Sequence, residues 1–172
     1  NAGQLPDGAV LVVGTGQSGA QIAEDLHLAG RQVHLAVGGA PRVARFYRGR
    51  DCMTWLAEMG LYDKAAQQYP GGKAAIEKTN HYVTGRDGGR DVDLRQFAAE
   101  GMKLYGALAD GRDGTLEFEP TLTAALDYAD SVYNSICADI DRHIERAGIV
   151  APPASRYEPV WEPETDPTTL DL

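Results

Sequence analysis

An apolar run at residues 9–13 (AVLVV) leads directly into the glycine-rich stretch 14–19 (GTGQSG). Such a run is typical of a strand buried on both faces, as in a parallel sheet. Apolar residues then recur at helical spacing over residues 17–29, and residues 33–37 (VHLAV) form a second β-favouring run. Residues 9–37 therefore predict strand, glycine turn, helix and strand, which is a Rossmann-like βαβ unit of the α/β class.

The glycine stretch has the spacing and the context of a phosphate-binding loop. Gly14 permits the tight turn after the strand, Gly16 lets the backbone approach a pyrophosphate, and Gly19 lets helix and strand pack closely. The N-terminus of the helix offers unpaired N–H groups to the phosphates, and Ser18 adds a hydroxyl. The alternative is a strand-to-helix turn without a ligand. Because strand and helix flank the loop in the required order, dinucleotide binding is favoured.

The residues after the second strand indicate which dinucleotide is bound. An acidic residue there would bind the ribose hydroxyls of NAD or FAD, but residues 38–42 (GGAPR) contain none. A guanidinium pairs with a 2′-phosphate, which a carboxylate would repel. We therefore expect NADP(H) as the ligand, with Arg42 as the first candidate to bind its 2′-phosphate. The alternative is that the arginines of residues 42–50 form a solvated face or pair with acids of another domain. The predicted cofactor-binding residues are Gly14, Thr15, Gly16, Gln17, Ser18, Gly19, Gly38, Gly39, Arg42 and Arg45, with weaker expectations for Arg48 and Arg50.

The remaining pattern predicts one domain over residues 9–150. Residues 1–8 are a polar linker, and residues 60–92 form an irregular insertion with short helical pieces. Helices are predicted from an Asp51 cap to about residue 59, from an Asp93 cap to about residue 101, and over residues 121–147. Strands are predicted at 104–109 and 115–119. Residues 151–172 are proline-rich and predict an extended tail.

Composition excludes several classes of protein. The 172 residues carry 25 acidic and 16 basic side chains, a net charge of −9, which argues against nucleic acid or an anionic membrane as the main partner. The apolar runs are too short to span a bilayer. The two cysteines lie far apart in the sequence, so we expect free buried thiols and a reducing, cytoplasmic compartment. The four histidines lack the spacing of zinc ligands, so we expect no metal site.

Two further motifs fail on physical grounds. Tyr69 and Lys73 have the Tyr-x-x-x-Lys spacing of short-chain dehydrogenases, but the Pro-Gly-Gly between them is incompatible with the helix that such catalysis needs. Asp87, Asp91 and Asp93 lack the spacing and the terminal glutamate of an EF-hand, so a polar loop with a helix cap is the better interpretation. No catalytic residue is predicted.

The sequence over residues 10–26 (VLVVGTGQSGAQIAEDL) resembles the second glycine motif of flavin-dependent monooxygenases, both the flavin-containing and Baeyer–Villiger types and related bacterial flavoproteins. Residues 39–51 (GAPRVARFYRGRD), 54–56 (TWL), 60–63 (GLYD) and 84–94 (TGRDGGRDVDL) are similar to the bacterial subgroup. The resemblance extends over about residues 8–172.

The resemblance implies an NADPH-binding domain inserted in a larger FAD-binding domain. It places Gly14, Gly16, Ser18 and Gly19 at the NADPH pyrophosphate and assigns the 2′-phosphate to the segment after the second strand. Many relatives have an arginine at the position of Gly38 or Gly39, so in this chain the assignment moves to Arg42. The family's FAD glycine motif does not precede Gly14, and the chain begins at Asn1; both suggest a piece excised from a longer flavoprotein.

The sequence thus predicts the NADPH-binding portion of a flavin-dependent oxidoreductase or monooxygenase, inactive by itself, which holds NADPH for hydride transfer to FAD bound by the FAD domain of the same polypeptide. The alternative is a nucleotide-sensing regulatory module without chemistry. A stand-alone dehydrogenase is a weaker third interpretation, because the chain offers no credible catalytic pair.

Overall fold

The computed structural model describes residues 2–63, 65–68 and 81–172. Over these residues the chain is a mixed α/β domain with four α-helices and a three-stranded parallel sheet. Within the described part, no helix is both long and apolar enough to cross a membrane. The Tyr69–Lys73 motif lies outside the described residues.

The predicted strand–turn–helix–strand unit is present, with bounds close to those expected. Strand β1 is Val10–Val13, helix α1 is Gln17–Leu28 and strand β2 is Val33–Ala36. A third strand, β5 (Lys103–Tyr105), lies on the far side of β2, so the sheet order is β1-β2-β5 and both pairings are parallel. This arrangement confirms the parallel sheet that the apolar run at residues 9–13 predicts. The expectation that this strand is buried on both faces is wrong, because β1 is an outer strand of the described sheet and Val13 is 56% exposed.

One face of the sheet packs against α1 and α3 (Leu94–Ala99). Val33 and Leu35 of β2 point to this face and meet Ala20 and Ala23 of α1 in one apolar cluster. As predicted, Asp93 caps α3, since its carboxylate accepts hydrogen bonds from the backbone N–H groups of Arg95 and Gln96. This layer holds α1, and with it the glycine loop, against the sheet.

The other face is covered by a small antiparallel sheet of β6 (Leu108–Arg112), β7 (Thr115–Phe118) and β8 (Thr169–Asp171). Phe118 stacks on Tyr105 with the ring centres 4.4 Å apart. The strand predicted at 104–109 is therefore two strands, β5 and β6, in different sheets. The break occurs at Gly106, where a Cβ atom would lie 2.0 Å from the carbonyl oxygen of Glu119.

The long helix is confirmed as α4, Leu122–Ala147, and Gly148 ends it in the left-handed conformation at φ +64°. Its second half packs on a hairpin of β3 (Phe46–Tyr47) and β4 (Arg50–Asp51) and on α2 (Cys52–Glu58). Cys52 and Cys137 are both free and buried there, as expected. Burial raises the pKa of each thiol to about 12, so neither is a thiolate at neutral pH.

The described parts of the two irregular segments are ordered by specific contacts. The insertion contains one-turn 3₁₀ helices at Leu61–Asp63, Ala66–Gln68 and Arg86–Gly88. The proline-rich tail is extended but not free: Asn134 of α4 pairs with the backbone of Tyr157 through both its amide groups. The tail ends as β8, which pairs with β7 as a strand that the sequence pattern did not predict.

Candidate functional site

The glycine loop between β1 and α1 has the geometry that its spacing predicts. Gly14 adopts φ +92°, a conformation that side chains disfavour, and this makes the turn out of the strand. A Cβ atom at Gly19 would lie 2.0 Å from the carbonyl oxygen of Gly14, so only glycine allows the first turn of the helix to approach the loop this closely. Gly16 is the N-cap of α1.

The N-terminus of α1 has no side-chain cap. The first backbone donor inside the helix is Ala20, whose N–H reaches the carbonyl of Gly16 over 3.0 Å. The N–H groups of Gln17, Ser18 and Gly19 are therefore those that a helix leaves without an intrahelical acceptor. Ser18 is exposed and its hydroxyl makes no hydrogen bond to a described residue. This end of the helix offers donors and a partial positive charge to an anion.

Thr15 has a structural role that the sequence did not reveal. Its side chain is 1% exposed, and its hydroxyl accepts a hydrogen bond from the N–H of Gly38 over 3.0 Å. The same hydroxyl lies 3.2 Å from the carbonyl oxygen of Gly38 and donates to it. Thr15 therefore joins the loop after β1 to the loop after β2, rather than pointing out towards a ligand.

Gln17 is likewise engaged within the protein. Its side-chain amide donates to the carbonyl of Val83 and accepts from the N–H of Val83, and Gln21 donates to the same carbonyl over 2.9 Å. One turn further along α1, the buried carboxylate of Glu24 pairs with Arg90 at 2.8 Å. These contacts hold the end of the insertion against α1. The side chain of Gln17 is thus occupied, and its backbone N–H is the group that it can offer to a ligand.

An open groove of about 730 Å³ lies at the carboxyl ends of β2 and β5. The loop after β2, Ala107 after β5 and the first two turns of α4 line it, and none of these lining residues is charged. Tyr128 is 50% exposed at the groove. The full lining is Val37, Gly38, Gly39, Ala40, Ala107, Thr121, Ala124, Ala125 and Tyr128. The structure thus brings the predicted Gly38 and Gly39 to a groove whose other wall sequence reasoning missed, because that wall comes from residues 107–128.

Arg42 is not at this groove. The residue is 2% exposed, and its guanidinium lies 3.3 Å from Asp93 and 3.1 Å from Asp130. The rings of Tyr133 and Tyr157 enclose it, with centres 4.5 and 3.8 Å from the guanidinium carbon. Burial opposes the charge, but the two carboxylates outweigh it and raise the pKa of Arg42. The assignment of Arg42 to a 2′-phosphate therefore has no support in its position.

The other three arginines of the segment are also paired inside the chain. Arg45 lies 2.7 Å from Asp51, Arg48 lies 2.8 Å from Asp141, and Arg50 lies 2.5 Å from Glu58. The acids belong to this domain, not to another one. The cluster of positive charge that the sequence shows is thus neutralised by acids of the same chain, of which only Asp141 is distant in sequence from its arginine. Arg45 does not line the groove.

Asp130 is the centre of the ionic network that holds Arg42. Arg95 donates to it over 2.8 Å, and also donates to Asp127 and to the backbone carbonyl of Trp161. Burial raises the pKa of Asp130, and Arg42 and Arg95 oppose that rise. The sequence does carry a signal for this network: Asp130 occupies a position on the apolar stripe of α4, four residues after Leu126, where a carboxylate requires a buried partner.

Comparison of the chain with known protein families, with curated proteins and with solved structures finds no match.

Proposed function

We propose that this chain is a Rossmann-like NADP(H)-binding domain, the nicotinamide-nucleotide portion of a flavin-dependent oxidoreductase or monooxygenase. The observation that carries the proposal is the glycine loop. Gly14, Gly16 and Gly19 connect a parallel strand to an uncapped helix N-terminus, and a strand order of β1-β2-β5 corresponds to one half of a dinucleotide-binding sheet.

The pyrophosphate of the dinucleotide is assigned to the N-terminus of α1. There the N–H groups of residues 17–19 point out of the helix, and the hydroxyl of Ser18 is free to donate. Buried Thr15 holds the loop after β2 in register with this position. In this proposal no side-chain cation binds the pyrophosphate; backbone donors and the helix dipole do so.

The adenosine half is assigned to the groove at the ends of β2 and β5. Its alanines allow close approach, and Tyr128 offers an aromatic face on which adenine can stack. No carboxylate lines the groove to repel a 2′-phosphate. The choice of NADPH over NADH rests on that lack of an acid and on the family resemblance, since Arg42 is buried elsewhere.

The contribution of this chain is binding and orientation. The nicotinamide would extend away from the groove towards a flavin held by sequence outside these residues, and the two cofactors carry the redox chemistry. The inclusion of a flavin in this proposal rests on the resemblance to flavin-dependent monooxygenases.

The test combines titration with spectroscopy on the purified native polypeptide. We expect NADPH to bind in calorimetry and, without oxygen, to bleach the visible absorbance of a bound flavin. Binding of NADPH to a protein that carries no flavin and shows no redox change would instead favour the nucleotide-sensing module. Absence of binding by NADPH and NADH alike would contradict both functions.

A further inference from the structure

One side chain of the proline-rich tail reaches into the domain. Residues 152–156 and 158–160 are exposed, whereas Tyr157 is partly buried. Asn134 of α4 holds it there, because the side-chain amide of Asn134 donates to the carbonyl of Tyr157 over 3.3 Å and accepts from the N–H of Tyr157 over 3.1 Å. The position of the Tyr157 ring is therefore fixed relative to α4.

This ring covers the guanidinium of Arg42. The centre of the Tyr157 ring lies 3.8 Å from the guanidinium carbon, and that of Tyr133 lies 4.5 Å from it. Nη2 of Arg42 is buried and makes no hydrogen bond to a described residue. The buried charge is thus stabilised by the carboxylates of Asp93 and Asp130 and by the two aromatic faces. Loss of the Tyr157 ring would admit water to this site and weaken the hold on Arg42.

Arg42 joins the two walls of the open groove. One wall is the loop after β2, and it includes Ala40, two residues before Arg42. The other wall is α4, where Tyr128 lines the groove two residues before Asp130. Two residues of helix correspond to a rotation of about 200°, so Asp130 lies on the side of α4 away from Tyr128. The ion pair of Arg42 with Asp130, at 3.1 Å, therefore fastens the loop to α4 from behind the groove.

The position of the loop after β2 thus depends on a contact outside the groove. The hydrogen bonds between Thr15 and Gly38 hold the start of the loop, and the ion pairs of Arg42 hold its end. Tyr157 does not line the groove, but it covers the guanidinium that anchors the end of the loop. When the ring is removed, the loop loses the support of one of these two anchors.

We propose that Tyr157 is a positioning residue of the nucleotide groove. By placing this ring over Arg42, the tail holds the loop after β2 at the distance from α4 that the adenosine half of the nucleotide requires. The inference rests on the proposed function, which assigns the adenosine half to this groove. Docking of the tail and binding of the nucleotide are then coupled, and each strengthens the other.

Substitutions of Tyr157 in the native polypeptide test this role by calorimetry. Tyr157→Leu keeps apolar bulk but removes the aromatic face, and the Kd for NADPH should rise about tenfold. The Kd for AMP should rise by the same factor and that for nicotinamide mononucleotide should not change, a difference that a general loss of stability would not produce. Tyr157→Phe keeps the aromatic face and should bind as the wild type does. Val160→Ala is the matched control, since Val160 is 57% exposed in the tail.

Three results would overturn the inference. They are an unchanged affinity of Tyr157→Leu for NADPH, an equal loss of affinity for all three ligands, and a loss in Tyr157→Phe as large as that in Tyr157→Leu.

Amide hydrogen exchange without nucleotide separates this inference from the proposed function. The N–H of Gly38 donates to Thr15 over 3.0 Å, so its exchange reports the opening of the loop after β2. It should exchange about tenfold faster in Tyr157→Leu than in the wild type. Asn134→Ala removes the hydrogen bonds that hold the tail and should act in the same direction.

Unchanged exchange at Gly38 in both variants would overturn the inference even in a protein that binds NADPH. Faster exchange in both, in a polypeptide whose wild type binds neither NADPH nor NADH, would retain the role of Tyr157 in shaping the groove while the proposed function failed.

Discussion

The hydroxyl of Thr15 accepts a hydrogen bond from the backbone N–H of Gly38 over 3.0 Å and donates to the carbonyl of the same residue. This one side chain joins the loops at the ends of β1 and β2. The loop at β1 begins the proposed pyrophosphate site, and the loop at β2 forms one wall of the groove. The relative position of the two proposed subsites thus depends on a threonine that itself faces inward.

Replacement of Thr15 by valine tests that dependence. Valine keeps the shape but leaves the N–H of Gly38 without its acceptor, and we expect a loss of about 1–3 kcal/mol in the free energy of unfolding. Affinity for NADPH should fall as well, because the two loops lose their connection. Urea denaturation and calorimetry measure the two effects. Thr15→Ser, which keeps the hydroxyl, should lie close to the wild type; an equal loss in both variants would contradict the role of the hydrogen bond.

Gly19→Ala should disrupt the glycine loop. The new Cβ atom would lie 2.0 Å from the carbonyl oxygen of Gly14, a backbone atom that cannot move without shifting the loop. We expect destabilisation of about 3 kcal/mol and loss of measurable dinucleotide binding. The matched control is Gly39→Ala, where a Cβ atom meets nothing within 4 Å. A thermal melt should show unchanged stability for that variant, and equal melting temperatures for both would refute the close approach.

Arg42→Ala should act on stability and not on cofactor choice. Removal of the guanidinium leaves the Asp93 and Asp130 carboxylates facing each other in a buried site, and the expected cost is about 3–5 kcal/mol. Any remaining folded protein should lose affinity for NADPH and NADH by the same factor. Arg50→Ala is the control, since Arg50 pairs with Glu58 at the surface and its loss should hardly change the melting temperature. A selective loss of NADPH binding in Arg42→Ala would restore the 2′-phosphate assignment.

Tyr128→Ala should weaken binding without unfolding the protein. The side chain is half exposed, so its removal costs little stability, but the adenine would lose its stacking surface. Such stacking contributes about 1–3 kcal/mol, so we expect Kd for NADPH to rise roughly tenfold. The affinity for AMP should fall by the same factor, whereas the affinity for nicotinamide mononucleotide should not change. Tyr128→Phe retains the ring and should bind normally; weakened binding in that variant would point to the hydroxyl instead.

His34 should make the domain sensitive to mild acid. Its ring hydrogen-bonds the hydroxyl of Tyr105 over 2.9 Å, and burial, with a smaller effect of Lys103, lowers the pKa of His34 below the ordinary 6.5. The folded state thus binds a proton on His34 less tightly than the unfolded state does. The free energy of unfolding is therefore at its full value above pH 6.5 and decreases as the pH falls below that value. Burial lowers the pKa of His81 in the same direction.

Urea titrations at pH 8 and pH 5 provide the check. The free energy of unfolding should fall between these values in the wild type, and it should fall less in His34→Gln, whose amide still pairs with Tyr105 but does not titrate. An identical fall in both proteins would assign the acid sensitivity to other groups.

The sequence by itself determined the local elements of this protein. The apolar run at residues 9–13, the glycine spacing and the helical stripe of residues 122–147 specify β1, α1 and α4, because strand and helix periodicity and glycine conformation are local properties of the chain. It also predicted that Gly14 makes the turn and Gly19 the close contact, and it placed the cap of α3 at Asp93.

Only the tertiary structure decided which charges are free and which surfaces meet. The sequence pattern indicates that Arg42 is a free cation. In the structure it is enclosed by Asp130 and Tyr157, which follow it in the chain by about 90 and 115 residues. Likewise, Tyr128 reaches the end of β2 only because α4 crosses the carboxyl edge of the sheet. Ion pairing and burial depend on contacts between residues distant in the chain, and a charge pattern read along the sequence does not contain them.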